Sequence, residues 1–113
     1  MFKIATTPTY FAPVVVDMPI GGGKTQKFTF DAEFRRLTQS ELKDIQAQAS
    51  SGEITDERFA REVMIGWRGV QDEAGTELPF SEGNCDMLLN IFPVLPSVVK
   101  AFYASLSGAA VKN

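Results

Sequence analysis

Apolar and polar residues alternate from Thr25 to Phe34: Phe28, Phe30, Ala32 and Phe34 fall on one side, Lys27, Thr29, Asp31 and Glu33 on the other. A period of two is the signature of a half-buried strand. The β-branched run Val14 to Val16 predicts a second strand, and Gln26 to Phe34 is its partner. The glycine-rich segment Pro19 to Lys24 predicts the loop between them, because glycine takes the positive φ angles that a hairpin connection requires. Pro8 and Pro13 predict an irregular course or a sheet edge for the leading segment, since proline cannot donate to a ladder.

From Thr38 onward the punctuation is helical. Thr38 and Glu41 make a T-x-x-E capping box, with Leu37 and Leu42 at the spacing of a hydrophobic staple. A first helix is therefore expected from Thr38, with Leu42, Ile45 and Ala49 inward and Ser50-Ser51-Gly52 ending it. Thr55 predicts the cap of a second helix, with Asp56 and Glu57 where the helix dipole favours negative charge and Ile54 stapled to Phe59. Its inner face reads Phe59, Val63, Met64 and Trp67, and Gly66 and Gly69 bracket its end. Val70 to Pro79 reads as a polar turn around Gly75 with two short extended flanks.

Ser81 predicts the cap of a third helix, with Phe80 stapled to Cys85, Leu88 and Leu89 inward and Pro93 stopping it. A fourth is expected from about Pro96 or Ser97 to Ser107, with Val98, Val99, Phe102, Tyr103 and Leu106 on one stripe and Gly108 past its end. The expected fold is a single α+β domain over residues 1–113: an N-terminal β-hairpin region (1–36), a dominant helical region of about four helices (37–108) and a tail (109–113).

Composition narrows the chemistry. The chain has no histidine, which removes the commonest general base and metal ligand and with them the His-dependent hydrolases and most zinc sites. A net charge of −3 lacks the basic footprint of a nucleic-acid binder. The lone Cys85 cannot form an intrachain bridge; it suits a reducing cytoplasm and reads as a small core residue. No run of about eighteen apolar residues is present to span a membrane. The stretch MFKIATTPTYF lacks the apolar region of a signal peptide, so the protein is expected to stay where it is made.

One segment invites an enzymatic reading. VVVDMPIGGGKT ends in Gly23-Lys24-Thr25 like a phosphate-binding loop, yet Met18 occupies the position of the first loop glycine and a strand pattern, not a helix, follows Lys24. The hairpin explains it better, and no nucleotide site is expected. Asp56-Glu57 and Asp72-Glu73 sit where helix starts and turns favour acids, and Ser40, Ser50, Ser51 and Ser81 have no partner base. No catalytic residue, cofactor site or metal site is predicted. The last apolar stripe is wider than one small core needs, which makes Val99, Phe102 and Tyr103 candidate protein-binding residues. Trp67, at helical spacing in the second stripe, reads as core.

Phe30-Asp31-Ala32-Glu33-Phe34-Arg35-Arg36-Leu37, the phrase Phe59 to Glu73 that contains Met64-Ile65-Gly66-Trp67-Arg68-Gly69, Leu78-Pro79-Phe80-Ser81 with Asn84, and the ending from Ala101 to Asn113 together resemble the small tail assembly chaperones of long-tailed bacteriophages. The resemblance spans nearly the whole chain and implies a non-enzymatic protein of the host bacterial cytoplasm, absent from the finished virion. Its implied client is the long helical tape measure protein, kept soluble while tail tube subunits assemble around it. Contact with the tail tube protein would come mainly through a longer form made by a −1 ribosomal frameshift, and self-association is compatible with the family. The chain would be the short form, and Val111-Lys112-Asn113 can be encoded around the slippery run A-AAA-AAC. The runner-up is a small structural or connector subunit of the tail.

Overall fold

Two long strands open the chain, and the glycines decide where it turns. The computed structural model describes residue 4 and residues 7–107. Strand β1 (Thr9–Gly21) pairs antiparallel with β2 (Lys24–Arg35) in a register that sets Val14 opposite Phe30, Ala12 opposite Ala32 and Tyr10 opposite Phe34. Only Gly22 and Gly23 lie between the strands, with φ of 62° and 74°. Positive φ at both central positions is the requirement of a two-residue hairpin turn whose twist matches its strands. The connection is thus tighter than the predicted Pro19 to Lys24 loop, and Lys24 opens a strand. Pro13 lies in β1, an edge strand of the sheet, as one reading of the prolines expected.

Helix α1 (Gln39–Ser51) begins at the predicted cap: the Glu41 backbone N–H donates to Thr38 Oγ1 at 3.1 Å and the Thr38 N–H donates to Glu41 Oε1 at 2.9 Å. Gly52 closes it in the left-handed region, at φ 81°. Helix α2 (Asp56–Val63) is capped by Thr55 and buries Phe59, Ala60 and Val63.

At this point the expected architecture is corrected. The chain does not continue as helix to Trp67; it returns to the sheet as β3 (Met64–Arg68), which pairs antiparallel with β2 in the order β1-β2-β3. A hairpin followed only by helices is replaced by an α+β fold in which a three-stranded sheet shares the core with four helices. The reason lies in one residue. The β2–β3 register shifts between Glu33, opposite Gly66, and Phe34, opposite Met64, so Ile65 is an extra, bulged residue. Without the bulge, Met64 and Trp67 would face opposite sides of a strand. With it they share the buried face, three apart, and imitate the i, i+3 spacing of a helix stripe.

Gly69 then opens a small polar excursion. The Leu78 N–H donates to the Val70 carbonyl at 2.8 Å and the Asp72 N–H to the Thr76 carbonyl at 2.9 Å, giving extended flanks around Gly75 as expected. Helix α3 (Glu82–Leu89) starts at Ser81, whose Oγ accepts from the Asn84 N–H at 3.1 Å. Helix α4 (Val94–Ser107) starts before its predicted position. Pro96 falls within the first turn, where a missing N–H costs no intrahelical bond, and the Ser97 N–H and Oγ both donate to the Pro93 carbonyl, at 3.2 and 2.6 Å.

The helices cover one face of the sheet. Helix α4 lies across β1 and against α2, and Phe102 meets Phe34 edge-on at 5.3 Å and Phe59 at 5.6 Å between ring centroids. A second aromatic group joins Phe30, Trp67 and Phe80, with Trp67 to Phe80 at 4.8 Å and the Trp67 Nε1–H donating to the Leu78 carbonyl at 2.8 Å. Cys85 is buried, as expected of a small core residue. Among the described residues no helix covers the opposite face of the sheet; there Arg68 lies over the Phe11 ring at 3.9 Å and pairs with Asp31 at 3.2 Å. Residues 108–113, and with them Gly108 and Val111-Lys112-Asn113, lie outside the described residues.

Candidate interaction surface

The three residues predicted to bind a partner have different surroundings. Phe102 is 0% exposed at the centre of the core. Val99 is partly buried against the core, and Tyr103 is 39% exposed and stacks on Phe59 at 5.5 Å with 22° between the rings. Burial, and then the nearby Asp56 carboxylate, push the Tyr103 hydroxyl above its ordinary pKa. The width of the α4 stripe has a structural cause: the helix faces two neighbours, β1 on one side and α2 on the other. Its far end is tied down by a hydroxyl relay. Ser105 Oγ donates its one proton to the Phe102 carbonyl at 2.6 Å, so Tyr10 Oη donates to Ser105 Oγ at 2.8 Å.

A different surface carries more exposed apolar area. The hairpin is longer than the helical layer that covers it, and its inner face stays apolar past the cover: Val16 is still buried, but Phe28 opposite it is exposed and Met18 beyond them is only partly buried. Helices α3 and α4 meet at a corner through which the chain bends by 101°, placing Leu88, Ile91 and Val94 against the overhanging sheet. Between corner and overhang runs an open furrow of about 410 Å³. It continues into a second of about 570 Å³ beside the Val70 to Leu78 excursion, the two sharing Val70, Gln71, Asp72, Leu88 and Ile91. Of the residues lining the two, Phe28 is 48% exposed and Met87 and Ile91 are also exposed; in the corner itself Phe92 is 73% exposed, and Ile20 near the end of β1 is 57% exposed.

The remaining charges are largely structural. Arg61 of α2 reaches both Glu57, at 2.9 Å, and Asp86 of α3, locking the two helices together. Burial alone would lower its pKa, and the hydrogen bonds to Asp86 and Glu57 outweigh that effect and raise it. Burial raises the pKa of the Cys85 thiol, which disfavours the thiolate. Among the described residues no group of three or more His, Cys, Asp or Glu side chains is placed to hold a metal ion, and no single helix is long and apolar enough to cross a membrane.

Sequence reasoning missed the furrow, although two signals pointed to it. The alternation runs on to Met18 at one end and begins at Phe28 at the other, and Ile91-Phe92 places bulky apolar residues in a corner that no helical stripe explains. No curated protein and no solved structure matches the chain. A family model does: that of the YdaY prophage protein matches residues 25–110, from the second residue of β2 through the whole of α4. With most of its length so matched, including β3, both aromatic groups and the α3–α4 corner, the chain belongs to the YdaY prophage protein family.

Proposed function

We propose that this prophage protein is a tail assembly chaperone that binds the tape measure protein, keeps it soluble until tail tube subunits enclose it, and acts in the host cytoplasm without catalysis. The observation that carries the reading is the exposed apolar rim at the hairpin overhang and the α3–α4 corner. Contiguous apolar surface left open on a small domain marks a protein contact. A tape measure chain, long and helical, presents the complementary problem of apolar stripes without cover until the tube forms. Packing a helix into a furrow is the general solution to that problem. The likeness of the Phe30–Leu37, Phe59–Glu73 and Leu78–Ser81 stretches to tail assembly chaperones supports the same assignment.

The test is co-expression with the tape measure protein of the same prophage, followed by purification of tails. The expected result is a soluble client that sediments without this protein, and tails that lack it. Presence of the protein at fixed stoichiometry in purified tails would favour a connector subunit instead.

A further inference from the structure

We infer that the furrow between the hairpin overhang and the α3–α4 corner receives an amphipathic helix whose apolar face is flanked by Lys or Arg. The inference rests on the chaperone reading for the identity of the client and on the furrow itself for its chemistry. The floor is apolar: Val16, Phe28, Val70, Leu88, Ile91 and Val94 line it. Among the described residues, the charged ones lining the two connected furrows are Asp72 and Glu73, and no lining residue is Lys or Arg. One bank therefore carries a single sign of charge.

Those carboxylates are available. Asp72 uses Oδ1 to accept from the Ala74 and Thr76 N–H groups, at 2.9 and 3.0 Å, which holds the loop in shape and leaves its other oxygen open. Glu73 makes no ion pair or hydrogen bond among the described residues. Of the two lysines near the hairpin tip, Lys27 is engaged by Asp17 across the strand pair at 3.0 Å, and Lys24 lines neither furrow. An apolar helix face satisfies the floor, and a cationic flank satisfies the bank; an acidic flank would meet like charge at a partly desolvated contact.

The experiment uses the full chain and two synthetic peptides of about 18 residues, or five helical turns. Both carry the same Leu stripe at i, i+3, i+4 and i+7, one with Lys and one with Glu along the flank. Fluorescence anisotropy is expected to give at least tenfold tighter binding of the Lys-flanked peptide, with the preference shrinking as salt rises because exposed charges are screened. Glu73→Lys should erase or reverse the preference, and Ile91→Lys should weaken both peptides at least tenfold. Val15→Lys on the opposite sheet face should change neither. Equal binding of the two peptides, or binding untouched by Ile91→Lys in a variant whose circular dichroism is unchanged, overturns the inference. Client solubility separates the two claims. A client still protected by Ile91→Lys sinks the furrow and leaves the chaperone reading standing, whereas furrow binding of the Lys-flanked peptide without client protection does the reverse.

Discussion

The two halves of the β-hairpin obey one sequence rule and meet opposite fates. At its base, Tyr10, Ala12, Phe34 and Ala32 face α2 and α4, and Phe34 is sealed between Tyr10 and Phe102. Toward its tip, Met18 and Phe28 continue the same alternation, yet Met18 is only partly buried and Phe28 is left open, because the helical layer ends at the α3–α4 corner. Alternation reports which face of a strand is apolar. It does not report what covers that face, and here the helices bury it from Ala12 to Val16 and from Phe30 to Phe34 and leave the tip open.

Substitutions at the two ends should separate these roles. The largest effect is expected at the base: Phe34→Ala should cost about 3–5 kcal/mol in urea unfolding, since it removes a fully buried ring from the middle of an aromatic cluster. A loss below about 1 kcal/mol, the size typical of an ordinary substitution, would mean that the base is no better packed than the tip. Midway along the sheet, Trp67→Phe keeps most of the buried area and removes the donor to the Leu78 carbonyl, for an expected cost of about 1–3 kcal/mol. Thermal unfolding checks that cost, and amide hydrogen exchange tests whether the Val70 to Leu78 excursion is held by that bond, because its amides should then exchange faster. The smallest effect is expected at the tip. Phe28→Ser should change stability by no more than about 0.5 kcal/mol while, on the proposed function, lowering protection of the proposed tape measure client, which would sharpen the contrast. A Phe28→Ser variant as destabilised as Phe34→Ala would erase it.

Local signals were legible in the chain wherever the physics is local. Thr38, Thr55 and Ser81 each cap a helix as their spacing predicts, and the glycine run makes a hairpin turn in place of a phosphate loop. Long-range pairing was not legible. Strand β3 was hidden because the bulge at Ile65 gives Met64 and Trp67 a helix-like spacing, and only the presence of β2 alongside reveals the difference. The start of α4 was misplaced for the opposite reason: Pro96 looks like a beginning, but the carbonyl of Pro93 already anchors the turn. For the proposed binding surface, the α4 stripe looked too wide because a sequence does not show that α4 has two neighbours, and the overhang looked ordinary because a sequence does not show where the helices stop.

The junction of α2 and β3 has a mechanical meaning. Met64 closes the helix, its N–H donating to the Ala60 carbonyl, and is at the same time the first residue of the strand, opposite Phe34. With no slack between the two elements, the axial position of the helix and the pairing of the strand are a single degree of freedom. Adding or removing one residue there would either rotate Phe59 and Val63 by about 100° or slip Trp67 to the solvent face. The joint is therefore the place where the family should tolerate length change least, while the two-glycine turn at the far end of the sheet, with open space around each glycine, is where a label or an inserted peptide could be carried without disturbing the fold.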